Sequence, residues 1–127
     1  MDGLPKILLV EDNPQILEIY TTVLKAKKYP LSVATSVDDA LALAKADTPD
    51  IIFLDIMLLG NKSGLDALKI LREDEQYGCT KKKIVMLTNL GLTDEHRLAV
   101  EKYADGYVIK AEIVPHDLFD IINSFSV

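Results

Sequence analysis

Short apolar runs recur along the chain, and between them apolar residues return at helical spacing. The runs are "ILLV" at 7–10, "LSVAT" at 31–35, "DIIFL" at 50–54, "KIVMLT" at 83–88 and "GYVIK" at 106–110. Three of these do not alternate polar with apolar residues, which is how strands buried on both faces of a parallel sheet read. "LSVAT" alternates weakly and suits an edge strand. Asn13 followed by Pro14 predicts a helix start, and Ile16, Leu17, Tyr20, Val23 and Leu24 continue that helix. Ser36 and Asp39 approximate a capping box, with Ala40, Leu41, Leu43 and Ala44 behind them. Leu65, Leu68 and Leu71 mark a third helix after Gly64. Thr93 caps a fourth, with Asp94 and Glu95 favourably placed at its positive end. Pro115 opens a fifth, whose apolar face is Leu118, Ile121, Ile122 and Phe125.

Five strand–helix units in strict alternation predict one α/β domain with a parallel sheet. The domain is expected to fill residues 1–127, with its core at about 5–125. No linker, internal repeat or low-complexity stretch interrupts it. "KKK" at 81–83 reads as a solvated lead-in to the fourth strand.

Composition narrows the classes. The 127 residues are 49% hydrophobic, enough for a sizeable core, and 27% charged, unlike a disordered tail. A net charge of −6 opposes direct nucleic-acid binding, which needs a basic surface for phosphates. The single cysteine, Cys79, allows no internal disulfide and suits a reducing compartment. The N-terminal apolar run, Ile7 to Val10, is too short for a signal peptide. No stretch approaches a membrane span. The expectation is a soluble cytoplasmic protein.

Open parallel sheets bind ligands outside the carboxyl ends of their strands. Past the first predicted strand come Glu11 and Asp12. The third ends at Asp55, the fourth at Thr88 and the fifth at Lys110. Three acids, a hydroxyl and an ammonium should therefore meet at one edge. Each residue alone has a plainer explanation as a helix cap, a turn acid, a β-branched strand end or a surface lysine; their shared edge does not. Crowded carboxylates raise one another's pKa unless a cation compensates. Mg²⁺, a hard cation with oxygen ligands, suits them. A carboxylate can also take up a phosphoryl group as a nucleophile, and metal, lysine and hydroxyl would each serve one of its oxygens.

These stretches, "ILLVEDNP" (7–14), "DIIFLDIML" (50–58), "IVMLT" (84–88) and "ADGYVIK" (104–110), resemble the receiver domain of bacterial and archaeal response regulators over essentially the whole chain. The resemblance implies a flavodoxin-like three-layer α/β/α fold with a five-stranded parallel sheet of order 2-1-3-4-5 and five helices. It implies that Asp55 accepts a phosphoryl group from a phosphohistidine on a histidine kinase or phosphotransfer protein. Glu11, Asp12 and Asp55, with the backbone carbonyl of Met57, would hold Mg²⁺. Thr88 and Lys110 would contact the phosphoryl group, and Tyr107 would move inward as the Thr88 hydroxyl moves. The face of the fourth helix, fifth strand and fifth helix would pass the signal to a downstream effector. Such a domain is a signalling phospho-acceptor rather than an enzyme.

The chain departs from that family's pattern in several places. Ala111 replaces the usual proline after the lysine, and a cis Lys110–Ala111 bond would cost about 2.5–4 kcal/mol, so a trans bond is expected. Leu59 replaces another usual proline, and "LGNKSG" is one residue longer than common. Asn89 stands where a small residue is usual, so it would crowd the phosphoryl group or bond to it. Tyr103 replaces a glycine that would end the fourth helix. Met57 and Leu90, both apolar, flank the site and cannot orient an attacking water, which predicts a long-lived phosphorylated state. The fifth helix, "VPHDLFDIINSFSV", has acids but no Lys or Arg, which opposes a charge-matched symmetric dimer and favours a monomer.

Two rival readings remain. A haloacid dehalogenase-like phosphatase would need a second Asp at position 57. A phosphorylation-independent binding module would be a receiver fold that has lost its switch.

Overall fold

The computed structural model describes residues 4–58, 63–89 and 93–125. The strands are β1 (Ile7–Val10), β2 (Leu31–Ala34), β3 (Ile51–Asp55), β4 (Lys83–Thr88) and β5 (Gly106–Ile109). All pair in parallel, in the order β2-β1-β3-β4-β5. The helices are α1 (Pro14–Ala26), α2 (Val37–Asp47), α3 (Gly64–Glu73), α4 (Asp94–Tyr103) and α5 (Asp117–Ser124).

Two cores follow from the two-residue period of the strands. Leu8, Val10, Ile52, Leu54, Ile84 and Met86 point to one side, where Ala40, Ala44, Leu68, Leu71 and Val100 of α2, α3 and α4 cover them. Ile7, Leu9, Ile51, Phe53, Val85 and Leu87 point to the other, under Tyr20 and Leu24 of α1 and Leu118 and Ile122 of α5. This is the expected three-layer α/β/α, flavodoxin-like arrangement. β1, β3 and all of β4 after Lys83 are buried along their length, which is why their sequences do not alternate. β2 is an edge strand and only Ala34 of it is buried, in keeping with its weak alternation.

The predicted N-caps form, though at Ser36 only the serine half of the expected capping box is made. Asn13 Oδ1 accepts from the amides of Gln15 and Ile16 at 3.0 and 3.1 Å. Ser36 accepts from Asp39 N and Thr93 from His96 N. A capping box that the sequence reading did not anticipate, between Ser63 and Asp66, opens α3.

Other details differ from expectation. α5 begins at Asp117, not Pro115. The amides of Asp117, Leu118 and Phe119 bond to carbonyls three residues back, so the chain at Pro115 is a tight turn before the helix proper. Two short 3₁₀ turns, Glu75–Tyr77 and Lys110–Glu112, were also not anticipated. α4 ends at Tyr103 without a glycine because Arg72 Nε of α3 donates to the Tyr103 carbonyl at 2.6 Å, and Ala104 leaves in extended conformation. No cis peptide occurs among the described residues, and the Lys110–Ala111 bond is trans, as expected. Residues 59–62, with Leu59, and Leu90 lie outside the described residues. No helix among the described residues is long and apolar enough to cross a membrane.

Candidate functional site

Register places the candidate residues. Val10 is level with Leu54, and Asp55 with Leu87. Glu11 follows β1 directly, its amide bonded to the Ala34 carbonyl at 3.0 Å, and is fully buried. Asp55 is the last residue of β3 and is 2% exposed. Lys110 follows β5 and starts a 3₁₀ turn, which directs its side chain inward to 6% exposure. The strand ends thus bring side chains far apart in sequence to one place.

The contacts there are specific. Lys110 Nζ donates to Glu11 Oε1 at 2.7 Å and to Asp55 Oδ2 at 3.0 Å. Asp55 Oδ1 accepts from Met57 N at 3.0 Å, and Glu11 Oε2 from Asn13 N at 3.1 Å. Asp12 is half-buried beside them. One carboxylate oxygen each from Glu11, Asp12 and Asp55 lies within 4.8 Å of the others.

Burial, followed by the hydrogen bond and charge of Glu11, pushes the Asp55 carboxyl up to about 6. Burial also opposes ionisation of Glu11, but its bonds with Asp55, Lys110 and the Asn13 amide outweigh burial and hold it below the ordinary range. Burial disfavours the Lys110 ammonium, yet its bonds to Glu11 and Asp55 raise its pKa. Glu11 and Lys110 therefore form a charged pair, and Asp55 lies nearer neutrality than Glu11.

Three carboxylates against one ammonium leave a negative site built from hard oxygen donors. That donor set fits a divalent cation of the Mg²⁺ kind. Above it opens a cleft of about 290 Å³ lined by Glu11, Asp12, Asp55, Met57, Asn89 and Lys110, together with Asn13, Ile16 and Leu58.

Of the residues anticipated from sequence, Glu11, Asp12, Asp55, Met57 and Lys110 meet in this cleft. Thr88 ends β4 opposite Ile109, is 6% exposed and does not line the cleft; its neighbour Asn89 does. Tyr107 is 42% exposed on β5 and also lies outside the cleft lining. Sequence reasoning missed Gly64. A Cβ there would come within 1.9 Å of the Asp55 carbonyl oxygen, so only glycine lets α3 start against the end of β3. The glycine beside Ser63 was the available signal, but nothing local says which backbone it faces.

Comparisons with known proteins agree with this geometry. A family model for the response regulator receiver domain matches residues 7–123. The DNA-binding response regulator MtrA of Mycolicibacterium smegmatis is 35% identical over 105 residues, covering 83% of this chain and 43% of that protein. The transcriptional regulatory protein CpxR of Klebsiella pneumoniae is 34% identical over 105 residues, covering 83% and 42%. The chain therefore spans less than half the length of these relatives. Among solved structures, the BeF3-activated N-terminal receiver domain of Klebsiella pneumoniae RstA superposes with a TM-score of 0.79 at 28% identity, covering 94% of this chain and 96% of that one. Chemotaxis protein CheY4 of Vibrio cholerae gives 0.83 at 24% identity, covering 96% and 98%, and shows the shared fold. With strand order, strand-end acids and family match in agreement, the chain belongs to the response regulator receiver domains of two-component signalling.

Proposed function

We propose that this domain accepts a phosphoryl group on Asp55 from a phosphohistidine of a histidine kinase or phosphotransfer protein. The observation that carries the reading is Asp55 itself: a buried strand-end carboxylate held between Lys110 Nζ and the Met57 amide, at the floor of an open cleft. A carboxylate oxygen of Asp55 would attack phosphorus. The P–O bond forms as the P–N bond to histidine breaks, and the imidazole nitrogen leaves with the electron pair and takes up a proton. Asp55 must be ionised to attack, which its pKa of about 6 permits at neutral pH.

Lys110 is already within hydrogen-bond distance of Asp55 Oδ2, so a short movement carries its ammonium onto a phosphoryl oxygen. Glu11, Asp12, Asp55 and the Met57 carbonyl would hold Mg²⁺, which supplies positive charge against the phosphoryl oxygens. Thr88 would turn its hydroxyl toward the group, and Tyr107, exposed in this state, would pack inward behind it. New charge-assisted bonds would thereby bias two packings of the α4–β5–α5 face, which an effector protein reads.

The domain would act as a monomeric signalling module in the cytoplasm. Its negative charge opposes direct contact with nucleic acid. Met57, 65% exposed, supplies no second carboxylate beside Asp55, which counts against a dehalogenase-like phosphatase.

The test is intact mass after incubation with acetyl phosphate and Mg²⁺, for wild type and Asp55→Asn. A gain of one phosphoryl group that needs Mg²⁺ and is lost in the variant is the expected result. No adduct, while a control receiver is labelled and the protein also refuses a phosphohistidine donor, would overturn the reading.

A further inference from the structure

The polar side chains lining the cleft over Asp55 are unequally committed. Glu11, Asp12 and Asp55 are acids, and Lys110 is shared between two of them. Asn13 is tied through Oδ1 to the first amides of α1. Asn89, one residue past β4, is exposed, lines the cleft, and its carboxamide makes no hydrogen bond among the described residues. Thr88, the hydroxyl beside it, is buried and outside the lining.

A phosphoryl group on Asp55 would bring further negative charge into a cleft with three carboxylates. Its oxygens need donors, and the two that already touch Asp55 are engaged: Lys110 with Glu11 and Asp55, the Met57 amide with Asp55 Oδ1. Asn89 is an exposed residue of the cleft lining whose carboxamide can change rotamer without disturbing the core, and its Nδ2 can donate.

We propose that Asn89 is a phosphoryl-binding residue, its Nδ2 donating to an oxygen of the group carried by Asp55. The proposal rests on Asp55 being the acceptor. The bond holds the acyl phosphate against the β4 edge and adds to its lifetime. Asn89 thereby supplies a contact before, and independently of, any movement of Thr88.

The test uses beryllofluoride as the phosphoryl mimic, with Mg²⁺, on wild type, Asn89→Ala and Asn89→Asp. The chain has no tryptophan, so binding is followed by calorimetry. Loss of one hydrogen bond to a charged group should weaken beryllofluoride binding about tenfold in Asn89→Ala. Mg²⁺ affinity without beryllofluoride should not change. Asn89→Asp, which removes the donor and adds a charge, should bind more weakly still. Beryllofluoride binding to Asn89→Ala as tight as wild type, or tighter, would overturn the proposal and make Asn89 a crowding residue. An equal loss of Mg²⁺ affinity would overturn it in favour of a role at the metal. Wild type binding no beryllofluoride would overturn the acceptor role of Asp55 and this proposal with it. Urea unfolding of the three proteins identifies any effect that comes from misfolding.

Discussion

Gly64 lies against Asp55 so closely that a Cβ on it would fall 1.9 Å from the Asp55 carbonyl oxygen and 2.8 Å from the carbonyl carbon. The Gly64 amide donates to the next carbonyl, that of Ile56, at 2.8 Å. The start of α3 is thus docked on the backbone that carries the candidate acceptor, and the neighbours are main chain that cannot rotate aside. Gly64→Ala should destabilise the fold by roughly 1–3 kcal/mol, as overpacked sites do, and weaken Mg²⁺ binding by shifting Asp55. Urea unfolding and metal titration measure both; an unchanged midpoint would contradict the packing argument.

Asp55 gives the fold a pH dependence with a definite sign. Its pKa rises from the ordinary 3.8 to about 6, first through burial and then through Glu11. The folded state therefore holds this proton more tightly than the unfolded chain. The stability it contributes is complete below pH 4 and is lost as pH rises through 6. The ceiling on that loss is about 3 kcal/mol, at 1.36 kcal/mol per pKa unit. Asp55→Asn should be more stable than wild type at pH 8 in EDTA by about 1–3 kcal/mol, and the gap should close at pH 4. Adding Mg²⁺ should stabilise wild type more than the variant. Urea unfolding at the two pH values checks this, and equal stabilities at pH 8 would refute it.

Arg72 organises the far end of the same helix. Its guanidinium donates to the carbonyls of Tyr103 and Lys82 at 2.6 and 2.7 Å, and to Asp105 Oδ2 at 2.8 Å. Asp105 Oδ2 also accepts from the Ile84 amide at 2.8 Å, so one carboxylate ties the start of β4 to Arg72. Arg72→Met keeps the apolar stem and strands these acceptors, at a cost of about 2–3 kcal/mol for hydrogen bonds to a charged group. Hydrogen exchange should quicken most at Ile84 and Asp105. Arg72→Lys should rescue little, because a single ammonium cannot replace the planar fork. Exchange rates unchanged in Arg72→Met would show that α4 and β4 are held by other contacts.

Met57 bears on lifetime. Met57 lines the cleft, is 65% exposed and its side chain carries no group that could hold a water for attack on phosphorus. Once formed, the phosphorylated domain should persist for minutes or longer, and Met57→Asn should shorten that several-fold by orienting a water. Loss of the adduct followed by intact mass decides it. A wild-type half-life of seconds would show that other groups deliver the water.

Much of the site could be read before any coordinates. Asp55 stands at the end of "IIFL", and Glu11 and Lys110 each follow a similar run. A parallel sheet with its strands in one direction puts all their carboxyl ends on one edge. Periodicity thus identified the strands, and strand polarity then gathered the acids and the lysine. The edge strand β2 and the Asn13, Ser36 and Thr93 caps were equally local signals. The later start of α5, set by bonds from the Asp117, Leu118 and Phe119 amides to carbonyls three residues back, and the 3₁₀ turn at Lys110 leave no mark in the apolar pattern. What stops α4 without a glycine is not local: Arg72 bonds the Tyr103 carbonyl, 31 residues away.

By itself the sequence determined which segments are buried and which side chains stand at the strand ends, because a strand buried on both faces is an unbroken apolar run, a half-buried strand alternates, and a half-buried helix repeats every three to four residues. Only the tertiary structure decided which of those side chains touch. Lys110 pairs with both Glu11 and Asp55, Asn89 rather than Thr88 faces the cleft, and Gly64 alone fits against Asp55. Such distances of a few ångströms between remote segments are set by how the helices seat on the sheet, a property of the whole packing that no local pattern records.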